Sequence, residues 1–220
     1  MNDTKTILKV TVGSRAHGLH NEDSDYDYRG VFVVKTTDIL KLGSVKMHTQ
    51  WIEGEVDDTS WEIGHFLQMA VKCNPTILEV FLAPKNESDE YGERLRGLFP
   101  YVWNSTDVYN AFRGYGINQR KKFLEEKDCR PNKYATAYAR VLYNAYELLT
   151  TGSFNVHVAN SEVGEKLKQF KRGDYTAGEV IDFCKLWEDK LVKAYENNPN
   201  KQTDLDKVNE FLLEVRKNNW

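Results

Sequence analysis

The sequence predicts an α+β protein, with a mixed β-sheet and flanking helices in its N-terminal part and a helical domain after it. Three observations lead to this prediction. Leu8, Val10 and Val12 alternate with polar residues, which is typical of a half-buried strand. Residues 31–34 are consecutively apolar, which indicates a strand in the middle of a sheet. From Trp61 onward, apolar residues recur at helical spacing instead.

The N-terminal elements follow from local patterns. The polar residues at 21–24 have the composition of a turn. Gly54 is the expected bend in a segment of one or two further strands. The predicted elements are a strand over 6–12, a short helix over 14–20, a second strand over 25–34, a helical turn within 35–42 and strand structure over 45–58.

Residue types that are typical of helix ends mark the limits of several helices. Asn74-Pro75 stops the helix that begins near Trp61, and Gly152 stops the clearest helix, Lys133 to Thr151. Thr176-x-x-Glu179 is a capping box, and Thr203-x-x-Asp206 resembles a second cap. Thr76 to Leu82 is a further apolar segment, and helical segments are predicted at 89–99 and 106–127. We therefore expect a catalytic core over 1–88 and a helical domain over 89–220, packed on each other.

Composition limits the function classes. The 220 residues carry a formal net charge of −3, which gives no general basic surface for nucleic acid. Three distant cysteines form no zinc or disulfide pattern. The first residues are too polar for a signal peptide, and no apolar run approaches the roughly 20 residues that span a bilayer. These features predict a cytoplasmic protein with no membrane association.

Asp25 and Asp27 are the most informative residues. At alternate positions of a predicted strand they would point to one face and repel each other unless a cation lies between them. Mg²⁺ prefers a few carboxylates together with phosphate oxygens. Upstream, the Gly13-Ser14 turn can offer backbone N–H groups and a hydroxyl to phosphates. Together these features indicate chemistry on a nucleoside triphosphate, with ATP as the first choice.

A third carboxylate is expected because two metal ions held about 3.5–4 Å apart usually need more than two acids. Ile52 and Val56 would share the core face of their strand, which directs Asp57 to the opposite face. Asp58 would share the core face, which is costly for a charge. Asp57 is therefore the predicted third ligand and acceptor of the substrate proton, and Asp58 is the alternative if the strand has already ended.

Several cations are candidates for binding the triphosphate: Arg15, Arg29, Lys133 and Arg140. Arg29 continues the face of Asp27, where it can contact phosphate or pair with an acid. Lys133 and Arg140 are seven residues apart and fall near one helix face, which is equally consistent with a solvated surface. His17 and His20 lack further ligands for a metal, so a role in the loop or in packing is favoured.

Gly13-Ser14-Arg15-Ala16-His17-Gly18 followed by Ser24-Asp25-x-Asp27-x-Arg29-Gly30 resembles the signature of polymerase-β-type nucleotidyltransferases, in particular their RNA-repair-associated branch. Later segments resemble that branch too: Asp57-x-Thr59-x-Trp61-Glu62, Asn74-Pro75-x-x-Leu78-Glu79 and Lys133-x-Ala135-x-x-Tyr138-x-Arg140. The resemblance covers about residues 7–152. It implies a mixed sheet joined to a helical domain, and transfer of an NMP from an NTP with two Mg²⁺ ions or with Mn²⁺ in their place.

The sequence thus favours a two-metal nucleotidyltransferase that releases pyrophosphate. An RNA 3′ end, a protein hydroxyl and a small molecule all remain open as acceptors. The alternative is a catalytically silent nucleotide-binding or antitoxin-like interaction module with the same fold.

Overall fold

The computed structural model describes residues 4–42, 49–52 and 57–220, with the backbone alone at residues 51, 52 and 57. The described residues form five strands and ten α-helices. The strands are β1 (Thr4–Val12), β2 (Asp27–Val34), β3 (Thr49–Ile52), β4 (Asp57–Glu62) and β5 (Lys85–Ser88). The helices are α1 (Gly13–His17), α2 (Thr36–Leu40), α3 (Ile63–Ala70), α4 (Pro75–Leu82), α5 (Glu90–Gly97), α6 (Ser105–Leu124), α7 (Pro131–Thr151), α8 (Gly164–Arg172), α9 (Ala177–Asn197) and α10 (Leu205–Asn218).

The strands form one mixed sheet in the order β3-β4-β2-β1-β5. β2 and β4 are parallel, and the other neighbours are antiparallel. The apolar run of β2 lies at the centre of this sheet, as predicted from the sequence. The α+β class is therefore confirmed: strands and short helices come first, and long helices follow. The division at residue 88 stays a prediction.

One face of the sheet contributes to the main hydrophobic core. Leu8 and Val10 of β1 and Val31 and Val33 of β2 are buried there with residues of the helices. Because side chains alternate along a strand, Asp27 and Arg29 continue the face of Val31 and Val33 toward the start of β2. The core face of the sheet therefore ends in polar residues beside α1.

Capping residues explain where several of the helices begin and end. Gly152 ends α7 in a left-handed conformation with φ 84°. The capping box at Thr176 is present, with both reciprocal hydrogen bonds to Glu179. Asn74 does not end α3, which stops at Ala70; its side chain instead accepts from Thr76 N and begins α4. For α10 the predicted cap was wrong, because Asp204 rather than Thr203 accepts from the backbone of Lys207.

Helix α10 returns to the N-terminal part of the chain. Arg216 forms a two-pronged ion pair with Glu62, at 2.6 and 2.8 Å. The backbone of Asn219 accepts from Thr36 N at 2.7 Å, and Thr36 Oγ1 donates to the carbonyl of Arg216 at 2.6 Å. The last helix thus holds the β-sheet unit against the helices.

Candidate active site

The turn from β1 into α1 is shaped by Gly13. Its φ of +69° is a left-handed conformation that favours glycine. A Cβ at this position would overlap the Oδ2 atom of Asp27. The Asp27 carboxylate therefore lies directly against the turn, and a residue with any side chain would displace it.

Asp27 is the first residue of β2 and is paired on both sides. Its partner in β1 is Val12, and its partner in the parallel strand β4 is Asp57. The backbone of the predicted third acid thus lies directly opposite Asp27. The predicted Gly54 bend, together with Glu53, Glu55 and Val56, falls outside the described residues.

Asp25 lies before β2, not within it, because the strand begins two residues later than predicted. The reason is Arg15, whose Nε and Nη2 donate to the carbonyl of Ser24 at 3.0 and 2.7 Å. Its guanidinium also lies 3.8 Å from the ring centroid of Tyr26. These contacts hold residues 24–26 against α1 and out of the β-ladder, with the exposed Asp25 between them.

Asp58 has a different environment from Asp27. It is buried, and its Oδ2 is 2.7 Å from Nζ of Lys9 on β1. The same Nζ lies 5.0 Å from the centroid of the Tyr28 ring. In the ladder Asp58 lies opposite Tyr28, on the other face of the sheet from Val31 and Val33, so the prediction that Asp58 shares the core face was wrong. Lys9 compensates its charge there, and Asp58 is already engaged in an ion pair.

A buried charged cluster lies behind the turn and consists of His17, Glu79 and Arg140. Nε2 of His17 is 2.9 Å from Glu79 Oε1, and Nη1 of Arg140 donates to Glu79 Oε2 at 3.0 Å. The side chains are 10–14% exposed. Through Glu79, this cluster connects α1, α4 and α7.

Burial and charge together set the protonation of this cluster. Burial would raise the pKa of Glu79, but Arg140 and His17 outweigh it and lower that pKa to about 2. Burial, followed by the charge of Arg140, lowers the pKa of His17, although Glu79 and Asp27 act in the opposite direction. An ionised Glu79 can only accept, so the hydrogen at its contact with His17 is on Nε2. His17 is the last residue of α1, which begins at Gly13, so the cluster adjoins the Gly13 turn.

The predicted nucleotide-binding cations differ in their surroundings. Arg29 Nη1 donates to the carbonyl of Tyr28 at 2.7 Å. Arg140 has one guanidinium nitrogen committed to Glu79, whereas Lys133 is exposed in the first turn of α7. The structure thus brings Gly13, Asp27 and the backbone of Asp57 together, and places Arg140 in the adjoining cluster.

The donors beside the Gly13 turn are carboxylates, the kind of ligand that a divalent cation requires. Within residues 4–42, 49–52 and 57–220, and without the Asp57 side chain, no three His, Cys, Asp or Glu side chains are close enough to hold a metal ion. The carboxylates beside the Gly13 turn are nevertheless suitable ligands for a divalent cation. The Asp27 carboxylate meets the turn, Asp57 is its ladder neighbour, and Mg²⁺ favours carboxylate oxygen.

The sequence placed Glu79 only in a segment that resembles the family and predicted no role for it in the site. Its neighbours Leu78 and Val80 make the segment resemble an apolar core helix. Its partners lie 62 and 61 residues away in the sequence. A carboxylate that is buried in an apolar helix requires a partner, and this was the available signal. The prediction that His17 has a packing role is confirmed, because it is buried against Glu79.

Nearly the whole chain matches one protein family. The model described as the RNA repair pathway DNA polymerase beta family matches residues 1–214. The chain belongs to this family. The predicted relationship is thereby confirmed, and membership supports a nucleotidyltransferase function in general terms.

Similar chains occur in distant organisms. An uncharacterized protein, MJ0002, of Methanocaldococcus jannaschii is 28% identical over 67% of this chain and 62% of its own length. The uncharacterized protein YcgL of Bacillus subtilis is 34% identical over 59% of this chain and 51% of its own. A 38.9 kDa protein of Enterobacteria phage T4 is 26% identical over 62% of this chain and 41% of its own. In each case the match covers less than two thirds of the relative.

Among solved structures, a nucleotidyltransferase-like protein from Exiguobacterium sibiricum aligns with 97% of this chain and 74% of its own, at a TM-score of 0.34 and 10% identity. That likeness is too weak to support an inference about either chain. In the described part of this family member, no helix combines the length and apolar character needed to cross a bilayer.

Proposed function

We propose that this protein transfers a nucleoside monophosphate from an NTP, with ATP as the first choice, to an acceptor hydroxyl and releases pyrophosphate. The observation that carries the proposal is the Asp27 carboxylate packed against the Gly13 turn, next to Asp57 in the β-ladder. Two Mg²⁺ ions, or Mn²⁺, bound by Asp25, Asp27 and Asp57 would supply positive charge at the α-phosphoryl group.

The start of α1 is suited to bind the phosphates. The first N–H groups of a helix have no acceptor within the helix. Val12, at the N-cap position, provides no side-chain hydrogen bond to them. Gly13 and Ser14 therefore offer backbone donors close to Asp27, and Ser14 adds its hydroxyl. The positive charges of Arg15, Arg29, Lys133 and Arg140 would complete the binding of the triphosphate.

The reaction is an in-line displacement. The acceptor oxygen forms a bond to the α-phosphorus while the bond from that phosphorus to the oxygen bridging to the β-phosphate breaks. Pyrophosphate leaves with that electron pair, and the hydroxyl proton passes to Asp57. The chain contributes position and electrostatics, without a covalent enzyme intermediate.

The proposal extends to the acceptor, the location and the domain division. An RNA 3′ end is the first acceptor to test, followed by a protein hydroxyl and a small molecule. We place the protein in the cytoplasm because its three cysteines, Cys73, Cys129 and Cys184, are free thiols in the structure. We divide the chain into a catalytic core over 1–88 and a helical domain over 89–220.

The test is label transfer from each α-³²P-labelled NTP, with Mg²⁺ or Mn²⁺, to an RNA with a free 3′ hydroxyl, to the same RNA with a 3′ phosphate, and to a cell lysate. Pyrophosphate release is measured on the same samples. We expect Asp27→Asn to reduce transfer at least about 100-fold. The matched control is Asp23→Asn, which removes an exposed carboxylate from the same loop.

Equal activity of Asp27→Asn and the unaltered protein would rule out the mechanism. Tight NTP binding without product for any acceptor would instead establish the alternative, a silent nucleotide-binding or antitoxin-like module. Binding of each NTP is therefore measured by calorimetry on the same preparation.

A further inference from the structure

A cavity of about 640 Å³ lies far along the chain from the Gly13 turn, where the start of α6 and the C-terminal ends of α7 and α9 meet. Its walls include Trp103, Tyr146, Leu149 and Ala194. None of its lining residues belongs to α1, β2 or β4. Its volume is in the range of about 300–1,000 Å³ typical of sites for small molecules.

The walls of the cavity are fixed by side-chain hydrogen bonds from the turn after α9. Nδ2 of the buried Asn198 donates to the carbonyl of Leu149 at 2.7 Å. Nδ2 of Asn200 donates to the carbonyl of Trp103 at 2.9 Å, and its backbone N donates to Oδ1 of Asn198 at 2.8 Å. These bonds link the ends of α7 and α9 to the start of α6, so the cavity is preformed.

The charges that line the cavity are of one sign. Lys190 and Lys193, one turn apart on α9, contribute to the lining, and no described Asp or Glu does. Nζ of Lys190 lies 3.8 Å from the ring centroid of Trp187 and 5.7 Å from that of Tyr146. In the described part of the chain neither lysine has an ion pair. Their positive charges therefore remain uncompensated by carboxylates.

We propose that this cavity is a second ligand site, separate from the candidate active site at Gly13 and Asp27, and that it binds a planar aromatic anion. The rings of Trp103 and Tyr146 and the aliphatic walls accept a flat apolar body, since aromatic groups favour offset or edge contacts with one another. Lys190 and Lys193 bind the negative charge. The lack of lining carboxylates excludes cations by the same electrostatic argument.

The test uses two fluorescent probes of similar shape. One is the anion 1-anilinonaphthalene-8-sulfonate, and the other is its neutral parent, N-phenyl-1-naphthylamine. We expect the double substitution Lys190→Gln, Lys193→Gln to weaken binding of the anion by about tenfold or more, and to change binding of the neutral probe less than about twofold. Lys185→Gln is the matched control, because Lys185 is an exposed lysine of the same helix that pairs with Asp189.

Filling the cavity should abolish binding of both probes. Thr150→Phe does this from the exposed rim and Ala194→Phe from the wall, so that one variant remains informative if the other fails to fold. Asp27→Asn should leave probe binding unchanged, which separates this site from the proposed catalytic one. Equal loss in Lys185→Gln and in the double variant would overturn the proposal, as would unchanged anion binding in the double variant or in a folded cavity-filling variant.

Discussion

Two charged contacts join elements that are far apart in the sequence, and they differ in burial. In the cluster of His17, Glu79 and Arg140, the side chains are 10–14% exposed. In the pair of Arg94 and Glu214, two hydrogen bonds of 2.6 Å are shorter, yet the side chains are 39% and 43% exposed. Contact distance is thus a poor guide to stabilisation, because solvent screens the second pair and barely reaches the first.

The largest effect is expected from Glu79→Ala. It leaves Arg140 buried without its carboxylate, which costs about 3–5 kcal/mol of unfolding free energy. Urea denaturation followed by circular dichroism measures this loss. Glu87→Ala, which removes an exposed carboxylate from β5, is the control. A loss below about 1 kcal/mol would show that the cluster is solvated and contributes no more to stability than the surface pair does.

Loss of Arg216 should have a smaller effect than loss of Glu79, because Arg216 is the more exposed partner of its ion pair, at 18% against 7% for Glu62. Glu62 also accepts from Gly64 N at the start of α3. Arg216→Met should cost about 1.5–3 kcal/mol, the range for hydrogen bonds to a charged group. Adding Glu62→Gln removes the unpaired charge and should recover part of the loss in the same denaturation assay. No recovery in the double variant would mean that Arg216 acts by packing instead.

The buried cluster should also make stability depend on pH. The pKa of His17 is below its ordinary value of 6.5, so below pH 6.5 the unfolded chain takes up a proton that the native chain does not. The unfolding free energy should therefore fall as pH decreases from 6.5, by up to about 1.4 kcal/mol per pH unit. Glu79 adds a second loss between its ordinary pKa of 4.5 and about 2. Denaturation between pH 5 and 7.5 should show that the unfolding free energy of His17→Asn does not fall below pH 6.5 as that of the unaltered protein does. The same fall in both proteins would mean that groups other than His17 cause the pH dependence.

The smallest effect is expected from Arg94→Gln at the surface pair. The urea midpoint should stay within experimental error of the unaltered protein, because an exposed ion pair contributes little. A clear shift of the midpoint would show that the two short hydrogen bonds matter despite their exposure. That result would mean that burial does not determine how much each contact contributes to stability.

The elements with strong periodicity were predictable from the sequence, and the polar ones were not. Helix α7 and the capping box of α9 match their predictions closely. Strand β5 was missed because Lys85-Asn86-Glu87-Ser88 has no apolar alternation; it forms through pairing with β1 at the sheet edge. Helix α8 was missed because only Leu167 and Phe170 of its long side chains are buried.

The candidate site was predictable where chemistry is local in sequence. The contact of Asp27 with the Gly13 turn agrees with the predicted proximity of these residues, whereas their roles stay predictions. The partnership of Glu79 with His17 and Arg140 could not be read from spacing, since it depends on how α4 and α7 pack. The role of Arg15 in holding Ser24 also depends on a loop geometry that the sequence pattern does not specify.

The pairing of β2 with β4 has a consequence for the two adjacent acids at the start of β4. In the observed alignment Asp27 lies opposite Asp57, and Tyr28 lies opposite Asp58. A slip of β4 by one residue would carry Asp58 to the place opposite Asp27 and would turn every following side chain of the strand to the other side. Lys9 would then lose its counter-ion. The register of the β2–β4 pairing therefore determines which of the two adjacent aspartates, Asp57 or Asp58, lies opposite Asp27.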